Sequence, residues 1–585
     1  MKRRLGRIAV IFALIVALAG CVSVPTEGPV EKVEGQQPAC QNCVNVEVAP
    51  PAPGDEPLQI VEGYLRATSN YQAGYSIARQ YLTRGATEKW SPESGVTIYS
   101  GAPAVEGASV ELNGRLVGSL ASDRTYKSAD RELNYDFGLV QENGEWRIDT
   151  PPPGLMVAEF VFRSFYRAYQ LYFISNDSVL VPDTIYLPTL PNPANVASAL
   201  MKALLNGPSS WLDLVADSAI PPETTLGVEA VTITDGIAEV ALSDPVLAVP
   251  DARRSLLAAQ IVYTLKQAVG VKGVRITVNQ ERYRVPGSDE ATLAVGVEDI
   301  DPQLEPVLVA TGDPLYAVTT KNEVQLINSA SANPERQPLD GELADGGYDV
   351  DSIAVSPANT DLAVVTDGRT RLRRGPTTGD VKPFDERFND LLRPQFTRYG
   401  EVLAIGRVKG RQQIWVFTGK KGEEGYAVDA PLLAKGGEIT AFKISPDGTR
   451  MALVRKTATG SELGLTRIVR ADKITVDGWR PIDLTQEGIN PVAQITDVAW
   501  LDASELLLIG APSKDATQVP VRVTDDASRI TAPGGQPSDW DAQQVTVLMR
   551  TQSAVVVGAR GQTWRDDGSQ WQPFLEKIRA VAYPG

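Results

Sequence analysis

The feature that most constrains this chain is a weak repeat in its second half. From about residue 300, an apolar strand, a polar turn and a second apolar strand recur. Residues 353–365 (IAVSPANTDLAVV) align with 442–454 (FKISPDGTRMALV), and 396–405 (FTRYGEVLAI) and 498–509 (VAWLDASELLLI) fit the same plan. Equivalent positions are Val355, Phe396, Ile444 and Trp500, with weaker candidates at Leu308 and Leu548, giving spacings of 47, 41, 48, 56 and 48 residues. That is the period of four-stranded propeller blades. One such sheet cannot bury both of its faces. Stacked blades bury each other, and closing the ring protects the edges. The pattern predicts a propeller over 300–585 with six blades, seven being compatible with it. Residues 579–583 are expected to form one more innermost strand that pairs with the first blade and clasps the ring. A stack of β-sandwiches is the competing arrangement.

The first residues, MKRRLGRIAVIFALIVALAGC, set the compartment. Lys2, Arg3, Arg4 and Arg7 precede an uncharged run over residues 8–19. A helix needs about 20 apolar residues to span a bilayer, so this run suits the apolar segment of a secretory signal peptide over 1–20. It ends in Leu18-Ala19-Gly20-Cys21. Small residues let a chain enter a peptidase cleft, and a thiol can accept lipid.

Residues 21–56 are rich in proline, including Pro50-Pro51-Ala52-Pro53, and are expected to be an extended tether. Within it lie Cys40 and Cys43. A C-x-x-C pair can be a redox site, half a zinc site or a local disulfide. No second such pair and no histidine exist to complete a zinc site, and no helix start is evident there to lower a thiol pKa. Export favours the disulfide.

A small α+β domain is expected over 57–152. Leu58, Val61, Tyr64 and Leu65 recur at helical spacing, and a second helix is expected over 75–82. Asn113-Gly114 and Asn143-Gly144 are hairpin signals, because type I′ turns need φ > 0 at both central positions. Helices followed by a curved antiparallel sheet resemble the cone-shaped fold of nuclear transport factor and ketosteroid isomerase relatives. Pro151-Pro152-Pro153 marks a boundary.

Over 155–285 the expected order is a hairpin around Asn176-Asp177, a helix opened by Asn192-Pro193 and stopped by Gly207-Pro208, and a hairpin around Asp235-Gly236. A helix capped by Asp251 and ending at Gly270 follows, then a strand over 274–278. The strings ALLNGP (203–208), DGIAEVALS (235–243) and AAQIVYTLKQAVGVKGVRITVN (258–279) resemble the GerMN domain of spore-germination and sporulation proteins. That resemblance implies a binding module with no assigned catalytic residues. Gln260 and Thr264 are expected to make internal hydrogen bonds. The SPDGT turn at 445–449 resembles the repeat of TolB-type propellers.

The chain has 585 residues, a formal charge of −16 and no histidine. Its acidity argues against a nucleic-acid partner. Without histidine there is no Ser-His-Asp or Cys-His nucleophile and no His-ligated zinc. No P-loop, G-x-S-x-G, S-x-x-K or EF-hand pattern occurs. Gly561-Gln562-Thr563-Trp564 echoes the tail of the sialidase Asp-box turn but lacks its aspartate. No enzyme, cofactor or metal is expected.

Leu18 to Cys21 resembles a bacterial lipobox, which implies lipidation of Cys21 and anchoring by two acyl chains on the extracytoplasmic face of the cell membrane. The order lipobox, tether, cone, GerMN and propeller resembles the LpqB family of actinobacterial lipoproteins, as do VEGYL (61–65) and YDFGLVQENGEWRIDTPPPG (135–154). The resemblance implies an accessory partner of the MtrA–MtrB two-component system that binds the extracytoplasmic domain of the sensor kinase MtrB and modulates cell-wall homeostasis and division. The first two modules, nearest the membrane, are the expected contact surface, with the propeller's funnel as the runner-up. Two other readings stay open: a binder of cell-wall glycan or peptide without a kinase partner, and a carboxylate glycosidase.

Overall fold

The computed structural model describes residues 48–585, apart from 108, 229, 308–313, 330–333, 420–423, 435, 487–491, 567 and 569. Cys21, Cys40, Cys43, the signal segment and most of the tether lie outside the described residues. So does Leu308.

The first module packs helix Pro57–Ser69 on an antiparallel meander of Val96–Glu106, Ser109–Leu120 and Tyr126–Asp136. Strand Leu155–Ala158 joins the sheet parallel to the first of these. Pro57 sits at the first helical turn, where its missing N–H costs nothing. Ile60, Val61, Tyr64 and Leu65 form the buried helix face. The second helix is shorter than expected, Ser76–Gln80.

Asn143 and Gly144 form the expected turn, with φ of 57° and 85°, between paired strands Leu139–Glu142 and Glu145–Ile148. Asn113-Gly114 does not form one. Both residues lie inside strand Ser109–Leu120, opposite Ala102 and Gly101. Gly114 serves close approach instead, since a Cβ there would lie 2.1 Å from the Ser100 carbonyl oxygen. The hairpin turns further back, at Glu106 and Ser109.

In the second module, strands Tyr166–Ser175 and Leu180–Pro188 pair around the 176–177 turn. Asn192 caps helix Pro193–Leu205 by accepting the Asn195 amide at 2.9 Å. Strands Thr232–Thr234 and Ile237–Leu242 turn at Asp235 and Gly236, φ 53° and 83°. Helix Asp251–Leu265 is capped by Pro250, not Asp251. Asp251 is its first residue and pairs with Arg254 at 3.0 Å, as a carboxylate at a helix N-terminus favours. The helix stops at Leu265, short of Gly270. Strand Gly273–Val278 runs parallel to Ile237–Leu242 and is flanked on its other edge, so it is internal to its sheet.

Six four-stranded sheets follow. Blades 2 to 6 begin with strands Val350–Val355, Gln395–Phe396, Ile439–Ile444, Gln494–Trp500 and Ala542–Leu548. Val355, Phe396, Ile444, Trp500 and Leu548 each end one of these, as the repeat predicted. Blade 1 takes its first strand from Ile578–Ala582, which pairs antiparallel with Pro314–Thr319 (Tyr316 opposite Ala582). The first strands contact one another in cyclic order, from Ile578–Ala582 through blades 2 to 6 and back. The ring is therefore closed.

Each seam between blades holds its own core. Leu362 and Val364 face blade 1, while Ala363 and Val365 of the same strand face blade 3. This is the period-2 burial of a strand covered on both sides.

Candidate functional site

The SPDGT turn supplies the centre of the site. Gly448 takes φ 78°, a conformation favouring glycine. Asp447 Oδ1 accepts the Ser445 hydroxyl at 2.9 Å and the Thr449 amide at 2.8 Å, and also the Thr449 hydroxyl. The turn thereby aims Arg450 away from its own strand. Arg450 is 2% exposed. Its Nη1 donates to Asp525 Oδ2 at 2.6 Å, and its Nη2 to Asp447 Oδ2 and the Ala503 carbonyl, both at 2.7 Å. Burial pushes the Asp447 carboxyl up, but Arg450 and the Thr449 hydrogen bonds prevail and hold it below the usual range.

Around this charge cluster the second module is seated on blades 3 to 5. Trp211 lies between two guanidiniums, Arg480 at 4.7 Å and Arg467 at 5.1 Å from its ring centre. Arg467 Nη1 also donates to the Trp211 carbonyl at 3.2 Å. Arg470 pairs with Asp177 at 3.3 Å and with Glu401 at 2.7 Å, and its carbonyl accepts Asn176 Nδ2 at 3.2 Å. Arg398 donates to the Gln303 and Glu305 carbonyls, each at 2.9 Å, and so fastens the linker to blade 3. Arginine suits these contacts because its planar fork binds oxygens and stacks on rings at once.

Tyr186 joins all three modules. It lies on strand Leu180–Pro188, and its ring packs with Phe162 at 5.3 Å and Tyr126 at 5.9 Å of the first module's core. Its amide donates to the Arg124 carbonyl at 3.0 Å, and its hydroxyl hydrogen-bonds Ser528 of blade 5.

The axis of the propeller is bridged. Arg393, entering blade 3, reaches Asp497 of blade 5 at 2.8 Å and the Val545 carbonyl of blade 6 at 3.1 Å. Lys443 donates to the Gly585 carbonyl at 2.6 Å, and burial lowers its ammonium to about 7.

Gln260 and Thr264 are internal hydrogen-bonders. Gln260 Oε1 accepts the Ala219 amide at 2.8 Å, and Thr264 accepts the Tyr172 amide at 3.1 Å. Trp564 of the Asp-box-like string is core, beside Trp540. Among the described residues no group of His, Cys, Asp and Glu is placed to hold a metal ion, and no helix is long and apolar enough to cross a membrane. The junction residues Trp211, Tyr186, Arg450 and Asp525 carry no spacing signal that a sequence reading could have joined.

Three family models match: the N-terminal domain of lipoprotein LpqB over residues 50–163, the sporulation and spore germination domain over 170–284, and the lipoprotein LpqB β-propeller domain over 325–584. "Lipoprotein LpqB" of Cutibacterium acnes is 28% identical, covering 100% of both chains. "Lipoprotein LpqB" of Thermobifida fusca is 25% identical over 98% of this chain and 97% of its own. TolB from Acinetobacter baumannii aligns with 47% of this chain and 67% of its own, at 12% identity and a TM-score of 0.35. With matching models across all three modules and similarity along its whole length, the chain belongs to the LpqB lipoprotein family.

Proposed function

We propose that this protein is a lipid-anchored, non-catalytic recognition protein of the extracytoplasmic membrane face, held there through Cys21. In this reading it binds the extracytoplasmic domain of the sensor kinase MtrB and thereby modulates cell-wall homeostasis and division. Anchoring confines it to the plane of a membrane kinase and raises its effective concentration there. To change the kinase's output, it must bind one conformation of the sensor more tightly than another.

The observation supporting the contact surface is the placement of exposed apolar side chains. Among the described residues, eight of nine large exposed hydrophobics lie in the first two modules: Tyr71, Val105, Val140, Phe160, Leu214, Val228, Leu247 and Val269; the ninth, Tyr399, is on the propeller. Phe160 and Val269 are 69% and 79% exposed. Aromatic and aliphatic groups of this kind anchor protein contacts.

The test is binding of the full chain to the kinase ectodomain, comparing Phe160→Ser and Val269→Ser with Tyr399→Ser. Weakening by the first two supports the reading. Weakening by Tyr399→Ser alone moves the contact to the propeller, and no binding by the unsubstituted chain removes the kinase as partner.

A further inference from the structure

The seat of the second module on the propeller buries more negative than positive charge. Four aspartates converge there. Asp183 comes from strand Leu180–Pro188, Asp447 from the turn before Arg450, and Asp525 and Asp526 from the turn after strand Val519–Thr524. Facing them are two buried guanidiniums, Arg450 and Arg480.

Arg398 also faces Asp447, together with Asp177, and the remaining charged groups nearby still leave the cluster negative. Arg467 is matched by Asp477 at 2.5 Å and Asp213 at 3.5 Å. On the first module's side, Arg124 pairs with Glu93 and Arg163 with Glu159. Asp483 and Asp502 approach the neighbouring Tyr126 and Tyr172 and add negative charge.

A buried carboxylate without a counter-charge is too costly to persist. The four aspartates lack the arrangement of a metal site. A proton is the compensating charge that remains. The hydrogen bonds show which groups can take it. Asp183 is held by the Ser209 amide at 2.7 Å and hydroxyl at 3.1 Å. Asp447 is saturated by its own turn. Asp526 Oδ1 accepts the Ser528 amide at 2.9 Å and the Thr524 hydroxyl at 2.8 Å, and its carboxyl also faces the Tyr186 hydroxyl. Asp525 has one oxygen on Arg450 and sits against Asp526.

We propose that the seating of the second module on the propeller is a proton-responsive latch with Asp525 as its titrating group: the docked cluster keeps a proton that it releases when the two modules part.

Burial raises the Asp525 carboxyl to about 7 against the pull of Arg450 and Arg480, with Asp526 and Asp183 adding to the rise. A solvated aspartate titrates near 4. The docked state therefore binds the proton more tightly than the open state. Docking is strongest in acid, weakens as pH rises toward 7 and is level above it. Between pH 6 and pH 8 the opening constant rises on the order of tenfold.

The experiment is hydrogen exchange on the full chain at pH 6 and pH 8, with rates corrected for intrinsic exchange. It is read at the amides of 211–218 and 525–529. The expected result is opening on the order of tenfold more frequent at pH 8, and an Asp525→Asn variant that is pH-independent and closed at both. Equal corrected opening at the two pH values overturns the latch, as does an Asp525→Asn variant that keeps the dependence. Should that variant not fold, Asp526→Asn removes a neighbour that raises the Asp525 carboxyl. The opening profile then shifts to lower pH, and an unmoved profile overturns the proposal.

Discussion

Replacing Arg450 with methionine tests whether the buried turn network holds the propeller together. The substitution keeps an unbranched side chain of similar reach and removes the guanidinium. Three charge-assisted hydrogen bonds disappear, to Asp525, Asp447 and the Ala503 carbonyl. Breaking a buried ion pair from one side costs about 3–5 kcal/mol, because the other charge is stranded. Asp525 contributes the smaller share. Its carboxyl, already raised to about 7, needs only modest work to take a proton near neutrality. Asp447 contributes the larger share, because Arg450 is the main influence holding its carboxyl below the usual range against burial.

The sign with pH follows. In the unsubstituted protein, Asp447 has a lowered pKa, so its stabilising contribution is present above the ordinary carboxylate range and is lost in acid. In the variant, burial is no longer opposed by Arg450. The penalty is then present at neutral pH and is relieved as acid protonates the group. We expect Arg450→Met to lose about 3–5 kcal/mol at pH 7.5 and visibly less at pH 5. The measurement is urea unfolding of the full chain, followed by tryptophan fluorescence. Trp500 lies 5.3 Å from the Arg450 guanidinium and should report locally. A loss under about 1 kcal/mol at neutral pH, or one that grows in acid, would refute this account of the network.

Trp211→Ala removes a ring held by two guanidiniums; each such contact is worth about 0.5–2 kcal/mol. Limited proteolysis should show the 206–215 loop cut much faster while the propeller stays intact; unchanged protection would mean that Trp211 does not hold the modules together. Deleting 578–585 leaves strand Pro314–Thr319 without its inner neighbour. The propeller transition in a thermal scan should broaden or vanish, with increased dye binding to exposed apolar surface; a sharp, unshifted transition would mean the ring closes without that strand.

Sequence carried the propeller because its signal is local and repeated. An apolar run, a turn such as 445–449 and a second apolar run occupy little more than a dozen residues. The same short-range logic located the turns at Asn143-Gly144 and Asp235-Gly236 and the Asn192 cap. It failed at Asn113-Gly114, where the dipeptide sits within a long strand and the glycine answers to the Ser100 carbonyl across the sheet. It also misplaced Asp251, whose carboxylate suits the first helical turn as well as the cap. The junction was illegible for a different reason. Trp211 meets Arg467 and Arg480, and Tyr186 meets Ser528, across hundreds of residues with no fixed spacing. A lone tryptophan among serines and an arginine after a turn gain meaning only once the modules are docked.

The clasp of blade 1 has a consequence for how the molecule is made. Strand Pro314–Thr319 precedes its partner Ile578–Ala582 by some 260 residues. Until the two meet, the incomplete ring presents an unpaired β-edge, the kind of surface that recruits stray strands. Contacts this distant in the chain form slowly. Completion of the circle thus waits on this one long-range pairing, and the quality of the finished protein depends on shielding one edge until then.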